Sequence, residues 1–123
     1  MLKKRILLIE DEADMVYALT LQLEAVNYEI LSATDGQTGL DMARKEKPDL
    51  IILDLMLPKM DGYKVCRMLK FDKKYKRIPI IMFTAKVQER DLKLGHEVGA
   101  DAYITKPFDA RILLDKISAL LKK

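Results

Sequence analysis

One cysteine, Cys66, is too few for an internal disulfide, and a reducing, cytoplasmic setting is the expectation. Long apolar runs are also missing. None approaches the roughly 20 residues that cross a bilayer, so no membrane partner is expected. The basic opening Met1-Leu2-Lys3-Lys4-Arg5 leads into only four apolar residues before acid appears, too short for a secretory signal. Repeats, low-complexity tracts and linker-like segments are absent, and residues 1–123 read as one domain. The excess of one charge is small: 22 Lys and Arg against 19 Asp and Glu, net +3. That is too little to indicate nucleic acid. The densest basic run, Lys73-Lys74-Tyr75-Lys76-Arg77, lacks alternating aromatics to stack on bases and reads as a solvated loop.

What is present is an alternation of two periodicities. Half of the residues are hydrophobic and a third are charged, as in a globular protein. Apolar runs predict strands at about 5–9, 28–33, 49–53, 78–83 and 101–105. Continuous runs such as Leu50-Ile51-Ile52-Leu53 suit strands buried on both faces, as in a parallel sheet. Helical spacing predicts helices at about 13–26, 37–46, 62–71, 87–97 and 108–121. The first is expected to be capped near Asp14, with Met15, Ala18, Leu19 and Leu23 inward and Val16, Thr20 and Leu21 outward. The second carries Leu40 and Ala43 inward and stops before Pro48; the last buries Leu113, Ile117, Leu120 and Leu121. Strict β/α alternation implies right-handed crossovers. The expected architecture is an α/β, flavodoxin-like three-layer α/β/α sandwich, with a five-stranded parallel sheet of order 2-1-3-4-5 and five helices.

Four of the apolar runs end in residues that such a run would not select: Glu10-Asp11, Asp54, Thr84 and Lys106. In an open parallel sheet these ends share one rim, the place where ligands bind. Three carboxylates brought together there repel unless a cation lies between them, and a small hard ion such as Mg²⁺ suits an all-oxygen set. Glu12 and Asp14 read instead as solvated or capping acids. Lys106 and Thr84 suit a phosphoryl group, and the small Ala85 leaves room for a bulky anion. An aspartate nucleophile with Mg²⁺ and a lysine makes a phosphoryl-transfer site.

Ile9-Glu10-Asp11-Glu12, Asp54-Leu55-Met56-Leu57-Pro58-Lys59-Met60-Asp61-Gly62, Phe83-Thr84-Ala85, Gly99-Ala100-Asp101-Ala102-Tyr103 and Lys106-Pro107-Phe108 occur in this order. Over its full length the chain resembles a receiver domain of the two-component response regulators, including the chemotaxis type. The resemblance implies that Asp54 is the phosphoacceptor for a histidine kinase or phosphotransfer protein. It implies that Asp11, Asp54 and the Met56 backbone carbonyl hold Mg²⁺, with Glu10 acting through water. Lys106, Thr84 and Ala85 meet the phosphoryl group, while Thr84 and Tyr103 act as the switch. Lys106-Pro107 is expected to be cis, Pro58 and Gly62 to shape the acceptor loop, and Met56 and Lys86 to adjust dephosphorylation. The domain is expected to assist its own phosphotransfer and autodephosphorylation but to act as a regulator rather than an enzyme, signalling through the fourth helix, fifth strand and fifth helix to an output partner that the sequence does not identify. Ala102 and Ile112 replace the acids that pair in some receiver dimers.

The outward apolar groups of the first helix suggest a docking surface, and the resemblance to receiver domains implies that the kinase meets it there, at Val16 and Thr20. Tyr103 without its neighbouring motifs would read as strand packing, His96 as a surface residue and Cys66 as packing on the third helix. A flavin-binding relative of the fold would place a phosphate-cradling loop where Glu10-Asp11-Glu12 stands. A haloacid dehalogenase phosphatase would carry an acid at Met56. An adaptor that is never phosphorylated would have lost one of the acids, the acceptor or the lysine; all are kept. The chain is either a free-standing regulator or a receiver cut from a longer protein.

Overall fold

The computed structural model describes residues 3–84, 93 and 97–122. Its elements are β1 (Arg5–Ile9), α1 (Ala13–Ala25), β2 (Glu29–Ala33), α2 (Gly36–Glu46), β3 (Leu50–Asp54), α3 (Gly62–Lys70), β4 (Ile80–Thr84), β5 (Ala102–Thr105) and α4 (Ala110–Leu121). Four helices thus stand among the described residues, against the five expected. The helix expected at 87–97 falls mostly outside them, with Lys93 and Glu97 helical. The strands pair in parallel in the order β2-β1-β3-β4-β5, the flavodoxin-like α/β arrangement.

Period-two alternation along the buried strands divides the core between the two faces of the sheet. Leu7 and Ile9 of β1 meet Leu40 and Ala43 of α2 and Val65, Cys66 and Leu69 of α3 on one face. Ile6 and Leu8 meet Leu19 and Leu23 of α1 and Leu113 and Ile117 of α4 on the other. All eight apolar residues from Ile6 to Ile9 and from Leu50 to Leu53 are fully buried. Each contributes about 1.5–3 kcal/mol on leaving water, enough to fix the register that delivers the strand ends to one rim.

Local chemistry sets where the helices begin. The Asp35 side chain accepts from the Thr38 N–H at the start of α2, Asp61 from Lys64 at α3, and Asp109 from Arg111 at α4. The cap at Asp109 is why α4 starts at Ala110 and not at 108. In α1 the N-cap is Glu12, without a side-chain capping bond, and Asp14 lies inside the first turn. The expected cap near Asp14 is therefore displaced by two residues.

The faces of α1 also differ from expectation. Ala18 is exposed, while Val16 is half-buried and packs with Met15 against the core. Val16 lies three residues before Leu19 and seven before Leu23, on the inward stripe, whereas Ala18 is turned about 100° from Leu19. Thr20 is half-buried, and the exposed apolar groups are Tyr17 and Leu21, at 68% and 52%.

Candidate functional site at the strand ends

The carboxyl ends of β1 and β3 bring the predicted acids together. Glu10 follows β1 and still donates its N–H to the Ala33 carbonyl at 3.0 Å, which carries it inward; it is fully buried. Asp54 is the last residue of β3, paired in register with Phe83 and 4% exposed. Asp11 is exposed at the mouth. Carboxylate oxygens of Glu10, Asp11 and Asp54 lie within 4.8 Å of one another, and the same set is the candidate metal cluster among the described residues. Hard, oxygen-only donors with two buried members suit Mg²⁺ better than a softer ion.

Lys106, just past β5, is the cation of the cluster. Its Nζ donates to Glu10 Oε1 at 2.6 Å and to Asp54 Oδ2 at 3.3 Å, and lies 3.7 Å from Glu12 Oε1. The ammonium also sits 5.0 Å from the centre of the Phe83 ring, which Phe108 meets edge-on at 5.5 Å. This aromatic floor was not legible in the sequence, because Phe83 there reads only as part of an apolar run. The Lys106-Pro107 bond is cis, as expected.

Both members of the closest pair hold their protons tightly. Burial raises the Glu10 carboxyl above its ordinary range, despite hydrogen bonds from Lys106 and from the Glu12 N–H. Burial opposes the charge on Lys106, but the hydrogen bond to Glu10 and the field of Asp54 outweigh it and raise that pKa as well. Three acids against one lysine leave the cluster with excess negative charge, and this excess is what a divalent ion would relieve.

The loop after β3 is held close. Met56 donates its N–H to Asp54 Oδ1 at 3.2 Å, while its side chain is 78% exposed. The Pro58 carbonyl accepts from Met60 at 2.7 Å and from Gly36 at 3.2 Å, and Gly62 donates to Leu55 at 3.0 Å. A Cβ on Gly62 would stand 2.3 Å from the Asp54 carbonyl oxygen, so only glycine lets α3 start this close to the acceptor strand.

Thr84 ends β4 and pairs in register with Thr105, which puts its backbone at the rim. Ala85, Lys86 and His96 lie outside the described residues. Tyr103, in β5, is half-buried against the α2–α3 side of the core, and its hydroxyl lies 3.3 Å from that of Tyr63 on α3. That hydroxyl pair was missed, since nothing in the spacing links the two tyrosines. Val16 and Thr20 lie on α1 and are half-buried.

The response regulator receiver domain profile matches residues 6–118. The chain belongs to that family. Over 122 residues the receiver domain is 45% identical to the alkaline phosphatase synthesis transcriptional regulatory protein PhoP of Bacillus subtilis, covering 99% of this chain and 50% of that protein. Over 119 residues it is 43% identical to the DNA-binding dual master transcriptional regulator RpaA of Synechocystis, covering 97% and 49%. The chain thus spans about half the length of these curated relatives. Among solved structures, a CheY-like response regulator receiver domain protein of Methanospirillum hungatei aligns with a TM-score of 0.91 at 31% identity, covering 98% of this chain and 94% of that one. The receiver domain of a Pseudomonas aeruginosa sensor histidine kinase, with a magnesium ion coordinated in its active-site cleft, aligns with a TM-score of 0.91 at 26% identity, covering 98% and 99%. Membership places the receiver domain in the two-component response regulators, a class consistent with phosphorylation-dependent signalling. No helix of the described residues is long and apolar enough to cross a membrane.

Proposed function

We propose that this receiver domain is a phosphorylation-driven switch in the cytoplasm, with Asp54 accepting a phosphoryl group from the phosphohistidine of a kinase or phosphotransfer protein. The observation that carries the reading is the contact of Lys106 Nζ with Asp54 Oδ2 at 3.3 Å, inside a three-carboxylate cluster that closes within 4.8 Å. In the transfer an Asp54 oxygen forms the new P–O bond as the donor's P–N bond breaks, and the P–N electron pair returns to the imidazole. Lys106 offsets charge on the phosphoryl oxygens. Asp11, Asp54 and the Met56 backbone carbonyl would hold Mg²⁺. Both Glu10 oxygens already accept hydrogen bonds, from Lys106 and from the Glu12 N–H, which suits a role through water. Bound there, Mg²⁺ would neutralise the acids and the incoming phosphate.

The acyl phosphate favours a conformer in which Thr84 and Tyr103 turn toward the phosphorylated rim, a shift of population rather than a catalytic cycle. The chain is a regulator rather than an enzyme that turns over an external substrate. Incubation with acetyl phosphate and Mg²⁺ should add one phosphoryl mass on Asp54 and none in Asp54→Asn. An unmodified wild-type chain would favour the unphosphorylated adaptor instead. The kinase approaches α1 at Thr20, since Val16, expected to share that face, packs inward against the core. Thr20→Glu should slow transfer from the kinase and leave the acetyl phosphate rate unchanged; equal slowing of both would place Thr20 outside the docking face.

A further inference from the structure

Beside α3 and the turn that follows it lies an open groove of about 1170 Å³. Its apolar surface comes from Tyr63, Met68, Phe71 and Val98. Phe71 is 66% exposed and belongs to neither core cluster, so fold stability does not account for its position. The cationic side chains around it are Lys64, Arg67, Lys73 and Lys74, and among the described residues none of the four takes part in an ion pair. The two acids of the groove are already engaged: Asp61 accepts from the Lys64 N–H at 3.0 Å and Asp72 from the Lys74 N–H at 2.9 Å.

We propose that this groove docks an amphipathic helix of a protein partner, apolar along one face and acidic along its flanks. The volume exceeds the roughly 300–1,000 Å³ typical of a small-molecule pocket, and its shape is open to one side of a helix. Apolar anchors at i, i+3, i+4 and i+7 are the usual way a helix fills such a surface. Charge complementarity fixes the sign of the partner, because four cations against two acids leave the groove with a positive excess. The basic run that begins at Lys73 thereby gains a use that its lack of stacking aromatics did not suggest.

The test titrates the ¹⁵N-labelled chain with a synthetic, amidated 16-residue peptide. It carries Leu at helical spacing and Glu on both flanks; a second peptide has every Glu replaced by Lys. The expected result is saturable amide shifts centred on Lys64, Arg67, Met68 and Phe71 with the acidic peptide alone, weakening as salt rises. Phe71→Ser and Arg67→Glu should each reduce affinity roughly tenfold while the melting temperature stays unchanged. Absence of saturable shifts, equal binding of the basic peptide or full affinity of Phe71→Ser would each overturn the proposal. So would the same shifts appearing on concentrating the chain alone, which would assign the groove to a second copy. Tighter binding of a 16-base-pair DNA duplex at the same residues would assign it to nucleic acid, with the same consequence.

Discussion

Replacing Lys106 by methionine keeps much of its length and removes the one cation in contact with both Glu10 and Asp54 among the described residues. At an effective dielectric of about 20, contacts of 2.6 and 3.3 Å correspond to about 5–6 kcal/mol each before desolvation. Desolvation offsets most of that, and removing one partner of a buried pair costs about 3–5 kcal/mol. The lysine side chain is 12% exposed and reaches rim water, so the low end applies: about 3 kcal/mol at pH 8. With a urea slope of about 1.5–2 kcal/mol per molar, the unfolding midpoint should fall by about 1.5–2 M in chelator-treated buffer.

The pH dependence carries the sharper test. The Lys106 pKa is raised in the fold, so its stabilising charge is fully present below the unfolded lysine value and is lost only as pH rises through the folded one. Between pH 5 and 8 the wild-type lysine therefore changes nothing. The Glu10 pKa is raised by burial, and losing Lys106 raises it further. A carboxyl of that kind destabilises least when protonated, so the deficit of Lys106→Met should shrink as pH falls from 8 to 5. An unchanged midpoint at pH 8, or a deficit that grows toward pH 5, would refute this account of the cluster. Adding Glu10→Gln to the variant should recover most of the loss, which distinguishes an unpaired charge from a packing defect.

Two further perturbations test the surroundings. Gly62→Ala puts a Cβ 2.3 Å from the Asp54 carbonyl oxygen and 2.8 Å from the Leu55 Cα, both backbone atoms. It should cost about 1–3 kcal/mol and lower the melting temperature by several degrees, measured by circular dichroism; a shift within error would remove the claimed close approach. Burial pushes the Cys66 thiol up to about 12 from 9.0, which leaves about a thousandfold less thiolate at pH 8. Thiol reagents should label the native chain only at its unfolding rate, so a fast native phase would sink the prediction. By linkage, the stability Cys66 contributes is present below pH 9 and lost as pH climbs toward 12.

The strands and the rim were legible because each rests on a local rule. Runs of Leu and Ile mark strands buried on both faces, and a polar residue at the end of such a run must face something other than core. Glu10, Asp54 and Lys106 therefore met as expected from strand order alone. Boundaries moved by a residue or two where a specific hydrogen bond decided them. Asp49 lies outside β3 because its carboxylate accepts the Arg5 N–H at 2.7 Å, and Asp109 delays α4 by capping it. The face of α1 was misread because Met15, Val16, Leu19 and Leu23 form one stripe, which the apolar run Met15–Leu19 obscures. Long-range pairings left no trace in the sequence. Lys70 Nζ bonds Asp101 Oδ2 at 2.7 Å and the Ile78 carbonyl at 2.9 Å, an ion pair that ties the end of α3 to the start of β5. Tyr63 and Tyr103, 40 positions apart, are hidden for the same reason.

The acids at the rim oppose the stability of the rest of the fold, and Asp11 shows the conflict most cleanly because it is exposed and in no ion pair among the described residues. It adds a third negative charge within 4.8 Å of two buried ones. Even at the dielectric of water, two repulsions at 4.8 Å sum to about 1.7 kcal/mol, and with the Lys106 charge in the same cluster offsetting part of that, relief is worth about 1 kcal/mol. In chelator, Asp11→Asn should therefore be more stable than the wild type by about that amount. Mg²⁺ at ten times its dissociation constant should then stabilise the wild type by about 1.4 kcal/mol, and the variant much less, because a donor is missing. The ranking of the two chains should invert across a Mg²⁺ titration followed by urea unfolding. A variant less stable than wild type in chelator would show that Asp11 is held by contacts other than the metal cluster. Parallel curves at every Mg²⁺ concentration would show that the three carboxylates do not share one ion.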